Sequence, residues 1–597
     1  MALACGGSIS DVSFSYRLTE RLGGLVLKEK QEEALRSLLD GKDVFAVLPT
    51  GFGKSLIYQS FVIAKEMEGC VTDPCCLVIV PLRSIVEEQV NYNDFGMTAK
   101  GFEKSSEALK DIKSNKYKLI YASAEQALSS DFLSLLKDDS SELKKSLSLI
   151  VVDESHTVET WGKGKKRGKK VSEPFRKDFG ELSTLRSFCS GVPLLAITGT
   201  ATKKMQTTIM QQLAMGENTV MLNISPNREN IRFSVIKTTK TDQLGYLGWL
   251  IDIIKERNLL SPKTIIFCAT MHDVAKVFGF LLAELGDSAY VAEKPRIPEN
   301  RLVGIYHSMT LPKYKSRVSH SFKDNVGQVR IVIATSAFSM GVNFPDVRYV
   351  IHIGPARSVV DHIQEAGRAG RDGASAHNVV LYHGNQLAHC EEAIKQFARS
   401  GSCVRKALFK DFDDVPSNNP PHECCSSCDN NCLCSGEECS RERFPFDEPK
   451  GMTSTSESCA AFQRPVSEEN TETLQKALCE VKCGLGNRKS FMFDSTSSSS
   501  FTSELVNELV LHASSVFSLS DILKRFPVFS LGHAKLILEI FQEIFEDIPY
   551  FDEMMATVVP NDLFFMDLYY DCDETEHISS ESDSDPDRIN TEELENV

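Results

Sequence analysis

No apolar run in the 597 residues approaches the ~20 that a bilayer-spanning helix needs, so no membrane helix is expected. The N-terminus lacks the layout of a secretory signal, a charged stretch followed by an apolar one. Net positive charge is lacking too: the formal charge is −16. The segment after Tyr570 holds eleven acidic residues and one arginine, which gives −10 and leaves −6 for the rest. That balance excludes a protein that coats nucleic acid by bulk charge, but not one with a local basic track. The expectation is a soluble intracellular chain, nuclear with the cytoplasm as an alternative location. Most of its 18 cysteines should be reduced. Seven of them fall between Cys403 and Cys439, which makes metal binding the reading to test there.

What is present is enough for several large folded units. The length implies more than one domain, and 42% hydrophobic with 25% charged residues is a globular composition. The chain is organised around Leu48-Pro49-Thr50-Gly51-Phe52-Gly53-Lys54-Ser55. An apolar run, Val44-Phe45-Ala46-Val47, precedes it and reads as a buried parallel strand; Leu56-Ile57-Tyr58-Gln59 follows and reads as a helix start. Strand, glycine loop and helix make a phosphate site, because loop N–H groups and a helix N-terminus attract anions. Thr50, Gly51 and Gly53 line that loop, Lys54 would reach the β- and γ-phosphates, and the Ser55 hydroxyl would hold Mg²⁺. Upstream, Gln31 is either a solvated helix residue or, at this spacing from a phosphate loop, a reader of adenine N6 and N7.

Further strands end in small polar or acidic residues, the edge where parallel sheets bind ligands. Leu147 to Val152 runs into Asp153-Glu154-Ser155-His156. Asp153 would hold Mg²⁺, and Glu154 would orient and deprotonate an attacking water. Pro193 to Ile197 ends in Thr198-Gly199-Thr200-Ala201-Thr202, whose hydroxyls could couple nucleotide state to a neighbouring domain. Between these strands, Trp161-Gly162 leads into a run of six basic residues in eight, 163–170, and then Pro174-Phe175-Arg176-Lys177-Asp178-Phe179. Aromatic residues and arginine beside a hydrolytic carboxylate suit single-strand contact by stacking and charge. The basic run is expected to be disordered and exposed. Its role stays open between a solvated loop, phosphate contact and a nuclear import signal.

A second α/β unit begins near Ile231 and ends in Gln364-Glu365-Ala366-Gly367-Arg368-Ala369-Gly370-Arg371-Asp372-Gly373. Arg368 and Arg371 are three apart, which puts both guanidiniums on one helical face. One of them can act as an arginine finger toward a triphosphate held by the first unit.

The phosphate loop, Asp153-Glu154-Ser155-His156, Ala337-Phe338-Ser339-Met340-Gly341-Val342-Asn343 and the two-arginine segment together resemble the RecQ family of superfamily-two DNA helicases, over about residues 18–440. The resemblance implies two RecA-like parallel-sheet lobes, a Cys-rich zinc module and an ATP-driven motor that moves 3′ to 5′ on single-stranded and branched DNA in repair and recombination. It implies that Gln31 reads adenine, Lys54 and Ser55 bind phosphates and Mg²⁺, and Asp153 and Glu154 form the acidic pair. His156 would couple hydrolysis to DNA, Trp161, Phe175, Arg176 and Phe179 would belong to an aromatic-rich DNA loop, and Arg368 and Arg371 would contact the γ-phosphate. Lys28 stands where the family has arginine, and the basic run is inserted inside the aromatic-rich loop. The implied Zn²⁺ ligands are Cys403, Cys425, Cys428 and Cys432; Cys424 can replace Cys425, and Cys434 and Cys439 add ambiguity. Thiolates at such spacings can close a tetrahedral site.

The expected division is an N-terminal extension (1–17), an ATP-binding lobe (18–225), a second helicase lobe (226–390), the zinc module (391–440), a Ser/Thr/Glu-rich linker (441–502), a small helical or winged-helix-like module (503–565) and an acidic disordered tail (566–597). Two rival readings stand beside the DNA helicase: an RNA helicase of the same superfamily, and a non-enzymatic DNA-binding scaffold with a decayed motor. Intact Lys54, Glu154 and Arg371 argue against the second.

Overall fold

Runs such as Val44-Phe45-Ala46-Val47 and Ile331-Val332-Ile333-Ala334 are apolar at every position, the pattern of strands covered on both faces. Both are fully buried. The computed structural model describes residues 11–556 apart from 92–94, 103–104, 165, 168–169, 172, 308–309, 311, 339–343, 345, 413–419, 433–443, 445, 447–462, 487–502, 527 and 529–530. The acidic tail, the stretch Met340-Gly341-Val342-Asn343 and the cysteines 434 and 439 lie outside the described residues.

Seven parallel strands form the first sheet: β1 (Val44–Val47), β2 (Cys75–Ile79), β3 (Ala99–Gly101), β4 (Leu119–Ala122), β5 (Leu147–Val152), β8 (Leu194–Thr198) and β9 (Val220–Asn223). Their order is β3-β4-β2-β5-β8-β1-β9. Six parallel strands form the second: β10 (Ile231–Lys237), β11 (Lys263–Cys268), β12 (Val303–Tyr306), β13 (Ile331–Ala334), β14 (Val347–Ile353) and β15 (Ala376–Tyr382), ordered β10-β15-β14-β11-β13-β12. Helices cover both faces of each sheet, so each lobe has two apolar cores, one on either side. The expected two-lobed α/β architecture is present. No described helix is long and apolar enough to cross a membrane.

Three sequence expectations need correction. The boundary at residue 17/18 falls inside the helix Asp11–Arg21, whose Leu18 joins the first lobe's core together with Leu22. The linker expected over 441–502 contains the helix Glu468–Gly486. Leu474, Ala477, Leu478 and Val481 make an i, i+3, i+4, i+7 stripe on it, and this stripe packs against Ser503–Leu511 and Leu531–Phe545 in a separate helical core. The C-terminal module is therefore longer than predicted and helical; among the described residues no strand follows β15, so a winged-helix wing is absent from them. The basic run, expected to be disordered, contributes two short antiparallel strands, β6 (Lys166–Arg167) and β7 (Lys170–Val171), paired Lys166 to Val171 and Arg167 to Lys170.

The position of β1, and hence of the phosphate loop, is fixed from behind by Asp43. Its buried carboxylate accepts hydrogen bonds from Arg186 (2.9 and 3.1 Å), the Leu194 N–H (2.8 Å) and the Gly216 N–H (3.3 Å). Removing a buried acceptor leaves its donors unpaired, at a cost of roughly 3 kcal/mol. Asp43→Ala should therefore lower the melting temperature of the first lobe by several degrees, at about 2–4 °C per kcal/mol. Differential scanning calorimetry of the full chain checks this, and an unchanged first-lobe transition would contradict it.

Candidate functional site

The carboxyl ends of β1, β5 and β8 lie side by side, which brings the loop 48–53, the acidic pair and Thr198-Gly199 to one edge. The Leu48 N–H donates to the Thr198 carbonyl (2.9 Å) and the Phe52 N–H to the Pro49 carbonyl (3.1 Å). Gly51 and Gly53 have φ of +85° and +90°, a region that L side chains avoid. At Gly53 a Cβ would also lie 2.6 Å from Gln31 Nε2, whereas at Gly51 the space is open. Gln31 is buried, and its amide is fully engaged with the loop. Nε2 donates to the carbonyls of Phe52 (2.9 Å) and Gly53 (3.0 Å), and Oε1 accepts the Lys28 N–H (2.8 Å). The residue expected to read adenine thus braces the phosphate loop in this state. Lys28 lies over the Phe52 ring at 4.5 Å.

Lys54 Nζ lies 3.4 Å from Glu154 Oε1, so the lysine pairs with the carboxylate expected to activate water. Asp153 Oδ1 accepts the Glu154 N–H at 2.9 Å. Burial pushes the Asp153 carboxyl up to about 6 despite the nearby Lys54 ammonium. At Glu154 burial acts in the same sense, but Lys54 and His156 outweigh it and hold that carboxyl below its ordinary value. Glu154 also has φ +46°, a strained value for a side chain of its size. His156 is buried, with its Nδ1 3.0 Å from Thr198 Oγ1 and 3.4 Å from Glu154 Oε2. From the second lobe, the Gln364 amide nitrogen approaches both ring nitrogens at 3.2 and 3.3 Å. His156, which the resemblance implies couples hydrolysis to DNA, is buried and links the two lobes, with no surface to offer a strand directly.

The aromatic loop divides in two. Phe175 is 41% exposed, while Phe179 is fully buried in the first lobe's core and cannot stack on a base. Trp161 packs edge-on against both, at 5.7 and 5.6 Å. Arg176 is committed to protein: it makes a two-pronged ion pair with Glu125 and donates to the Pro81 carbonyl. Burial alone would raise the Glu125 carboxyl, and the Arg176 guanidinium reverses this, leaving it below its ordinary value. Of the four residues expected to contact nucleic acid here, Phe175 is exposed, Trp161 and Arg176 are partly exposed, and Phe179 has no surface.

The two arginines, expected on one helical face, are not helical: the helix Val359–Ala366 ends before them. Buried Arg368 and Arg371, the latter with its Nε 3.5 Å from the Gly367 carbonyl, sit on the turn that follows. The loop that carries them is held by residues that sequence reasoning missed. Arg228 donates to the carbonyls of Gly367 (3.1 Å), Ala369 (2.9 Å) and Gly370, and Asn230 Nδ2 to those of Gly370 (2.8 Å) and Ala374 (2.7 Å). In sequence these two are unremarkable polar residues between the lobes, and no motif marks them.

Four sulfurs, those of Cys403, Cys424, Cys425 and Cys428, lie within 4.8 Å of one another. Cys403 Sγ is 3.8 Å from Cys424 Sγ and 4.0 Å from Cys425 Sγ. Thiolates at ~2.3 Å on a tetrahedral zinc are about 3.8 Å apart, so the group fits Zn²⁺. The expected set named Cys432 in place of Cys424. Adjacent Cys424 and Cys425 both reach the group because Cys424 ends one short helix, Pro421–Cys424, and Cys425 caps the next, Ser426–Asn430. Cys432 lies past the end of that second helix, 3.8 Å from His422 Nδ1.

Residues 28–208 match the family described as DEAD/DEAH box helicase, and residues 246–373 the helicase conserved C-terminal domain. The chain is similar to the RecQ-like DNA helicase BLM of Xenopus laevis, 29% identical over 395 residues; the match covers 64% of this chain and 26% of the length of that protein. It is similar to protein R290 of Acanthamoeba polyphaga mimivirus, whose name assigns it provisionally to the ATP-dependent RNA helicases, at 28% identity over 68% of this chain and 69% of that one. Six further relatives with ATP-dependent DNA helicase names are 27–31% identical. The fold resembles that of the DEAD-box helicase Mss116 bound to single-stranded RNA, with a TM-score of 0.51, 14% identity, and 87% of this chain and 90% of that one covered.

Gly53→Ala should lower nucleotide affinity by on the order of tenfold, about 1.4 kcal/mol, because strain and the Gln31 clash both act on the loop. Gly51→Ala, with strain alone, should cost less. Titration with a fluorescent ATP analogue separates the two, and equal losses would remove Gln31 from the argument.

Proposed function

From the premise that this chain belongs with the RecQ-like helicases of superfamily two, we propose that it is an ATP-dependent DNA helicase that moves 3′ to 5′ on single-stranded DNA and unwinds duplexes ahead of it. The observation that carries the reading is the series of contacts Lys54–Glu154–His156–Gln364, each within 3.4 Å, which joins the phosphate loop of one lobe to the helix Val359–Ala366 of the other, just ahead of the turn that bears Arg368 and Arg371. A triphosphate on the loop draws Lys54 away from Glu154. Glu154 is then free to orient water at the γ-phosphate, with Arg368 and Arg371 positioned to balance charge from the second lobe. The loss of one partner at Glu154 is felt at His156 and, through Gln364, by the second lobe, so the lobes' relative position follows the nucleotide. Ser55 and Asp153 would hold Mg²⁺, which would supply charge neutralisation on the phosphates. Zn²⁺ on the four-sulfur group braces the second lobe.

Lys54→Ala should reduce DNA-stimulated ATPase by about 10²–10³-fold, the scale of losing one preorganised donor, and leave single-strand binding largely intact. Wild-type turnover in this variant would sink the assignment. Duplexes with a 3′ tail should be unwound, and those with a 5′ tail should not; equal unwinding of both would overturn the polarity. RNA as the track is a second reading, favoured by the relative R290. Preferential unwinding when the tail is RNA would select it.

The basic run inserted in the aromatic loop is proposed to grip backbone phosphates. Replacing its six Lys and Arg by Ser should flatten the plot of log affinity against log salt by about 0.7 per lost single-strand contact, without lowering the ATPase rate at saturating DNA. An unchanged slope would mean that the run does not touch nucleic acid.

A further inference from the structure

The amino ends of β10, β11, β13, β14 and β15 converge on a pocket of about 1020 Å³. Lys263 is the first residue of β11, Arg330 directly precedes β13, and Arg232, Arg348 and His377 are the second residues of β10, β14 and β15. The helix Gly248–Arg257 adds Arg257 at its last position. That helix covers one face of the second sheet, and the helix Val359–Ala366, ahead of Arg368 and Arg371, covers the other. The described residues that line the pocket all lie between Glu229 and Phe444, none of them in the first lobe. It is therefore not the nucleotide site on the phosphate loop.

The charge in this pocket does not balance. Five cationic side chains line it against three carboxylates, a formal excess of two. Three of the five are committed to protein. Arg232 donates to the Asp429 carboxylate (3.0 Å) and the His422 carbonyl (2.7 Å), Lys263 pairs with Asp346 (2.9 Å), and Arg348 makes a two-pronged ion pair with Asp372. Arg257 is exposed, and among the described residues no carboxylate pairs with it. Arg330 is only 8% exposed, yet its guanidinium donates one hydrogen bond, to the neutral Gly327 carbonyl (2.7 Å), and its Nε is buried without a partner. Burial works against its charge, and the carboxylate that favours it, Asp346, is already bound to Lys263. Buried charges are ordinarily paired. His377 is also 8% exposed, with Nδ1 buried and unpartnered. Burial and the Arg232 guanidinium push its imidazole down to about 4, so at neutral pH it offers hydrogen bonds and no further charge.

We propose that this pocket binds a small ligand carrying a polyphosphate chain, with Arg330 and Arg257 as its principal cations and His377 as a neutral partner. A terminal phosphoryl group carries about −1.5 to −2 at neutral pH, against −1 for a carboxylate, and its oxygens match the fork of a guanidinium. The volume, at the upper end of the roughly 300–1,000 Å³ usual for ligand pockets, has room for several linked phosphates and not merely one ion.

The test is isothermal titration calorimetry of the full chain with tripolyphosphate in the absence of Mg²⁺. Wild type should bind two equivalents, one at the phosphate loop and one in this pocket, and Lys54→Ala should keep the second. Added to Lys54→Ala, Arg257→Glu and Arg330→Gln should each weaken the remaining binding by roughly tenfold or more. No binding in Lys54→Ala alone would overturn the pocket and leave the phosphate loop standing, and unchanged affinity in both double variants would overturn it too. Hexaglutamate competing as well as tripolyphosphate would replace phosphate by carboxylate, and displacement by a dT oligomer would make the pocket part of a strand track; either overturns the small polyphosphate ligand. If Arg330→Gln fails to fold, Arg257→Glu, at an exposed position, decides alone.

Discussion

Three parts of the motor meet at the imidazole of His156. Thr198 at the end of β8, Glu154 after β5 and Gln364 from the second lobe all come within 3.4 Å of its ring nitrogens. An imidazole has two ring nitrogens, so it cannot serve all three partners equally. Whatever draws Glu154 away changes which bond the ring makes to Gln364. Burial sharpens the competition, since water is not at hand to satisfy the nitrogen that loses. Glu154 is held in this contest by a left-handed backbone, a conformation kept only where surrounding structure over-determines it. The backbone of Glu154 is therefore set by the sheet edge, and its carboxylate lies beside the ring that meets the second lobe.

A second chain of constraint runs from the cysteine-rich module to the arginine loop. Arg405, buried one residue after the start of the helix Val404–Phe409, donates to Asn227 Oδ1, the Arg228 carbonyl (3.0 Å) and the Ile231 carbonyl. The same segment sends Arg228 and Asn230 onto the loop that carries Arg368 and Arg371. Cys403, at the N-terminus of that helix, belongs to the four-sulfur group. The four-sulfur group is thus tied to the loop of Arg368 and Arg371 through two guanidiniums, those of buried Arg405 and part-buried Arg228. This gives a physical reason for a zinc module to follow the second lobe directly.

How much of this was legible in the sequence depended on whether the partners are neighbours along the chain. Lys54 and Ser55, and Asp153 and Glu154, announce themselves because a phosphate loop and an acidic strand end are contiguous. The two-sheet fold was legible because doubly covered strands are apolar throughout. Phe179 was misread because an aromatic residue in a loop shows the same letters whether it stacks on a base or fills a core. Its burial comes from a core that also gathers residues far along the chain, among them Phe45, Phe132 and Leu194. Cys424 and Cys432 were exchanged because spacing does not say where a helix ends; two short helices broken at Cys425 decide which sulfurs converge. Arg228, Asn230 and Arg405 were invisible for a further reason. They bind backbone carbonyls far away in sequence, and carbonyls carry no residue code.

Gln31 shows how a correct landmark can hide a different job. An amide group has two N–H donors, and here both go to the carbonyls of Phe52 and Gly53. Reading adenine N7 needs one of those same hydrogens. Base recognition and loop support therefore draw on a single amide, and an adenine that engages it must release a carbonyl of the phosphate loop. The Gly53 backbone, at φ +90° with no room for a Cβ against that amide, is the point where the release is felt. A nucleotide with a base that cannot pair with Gln31 would meet a loop still braced, even though its triphosphate is the same. The one buried amide that would recognise adenine is the amide that braces the loop, so the two roles compete for the same two hydrogens.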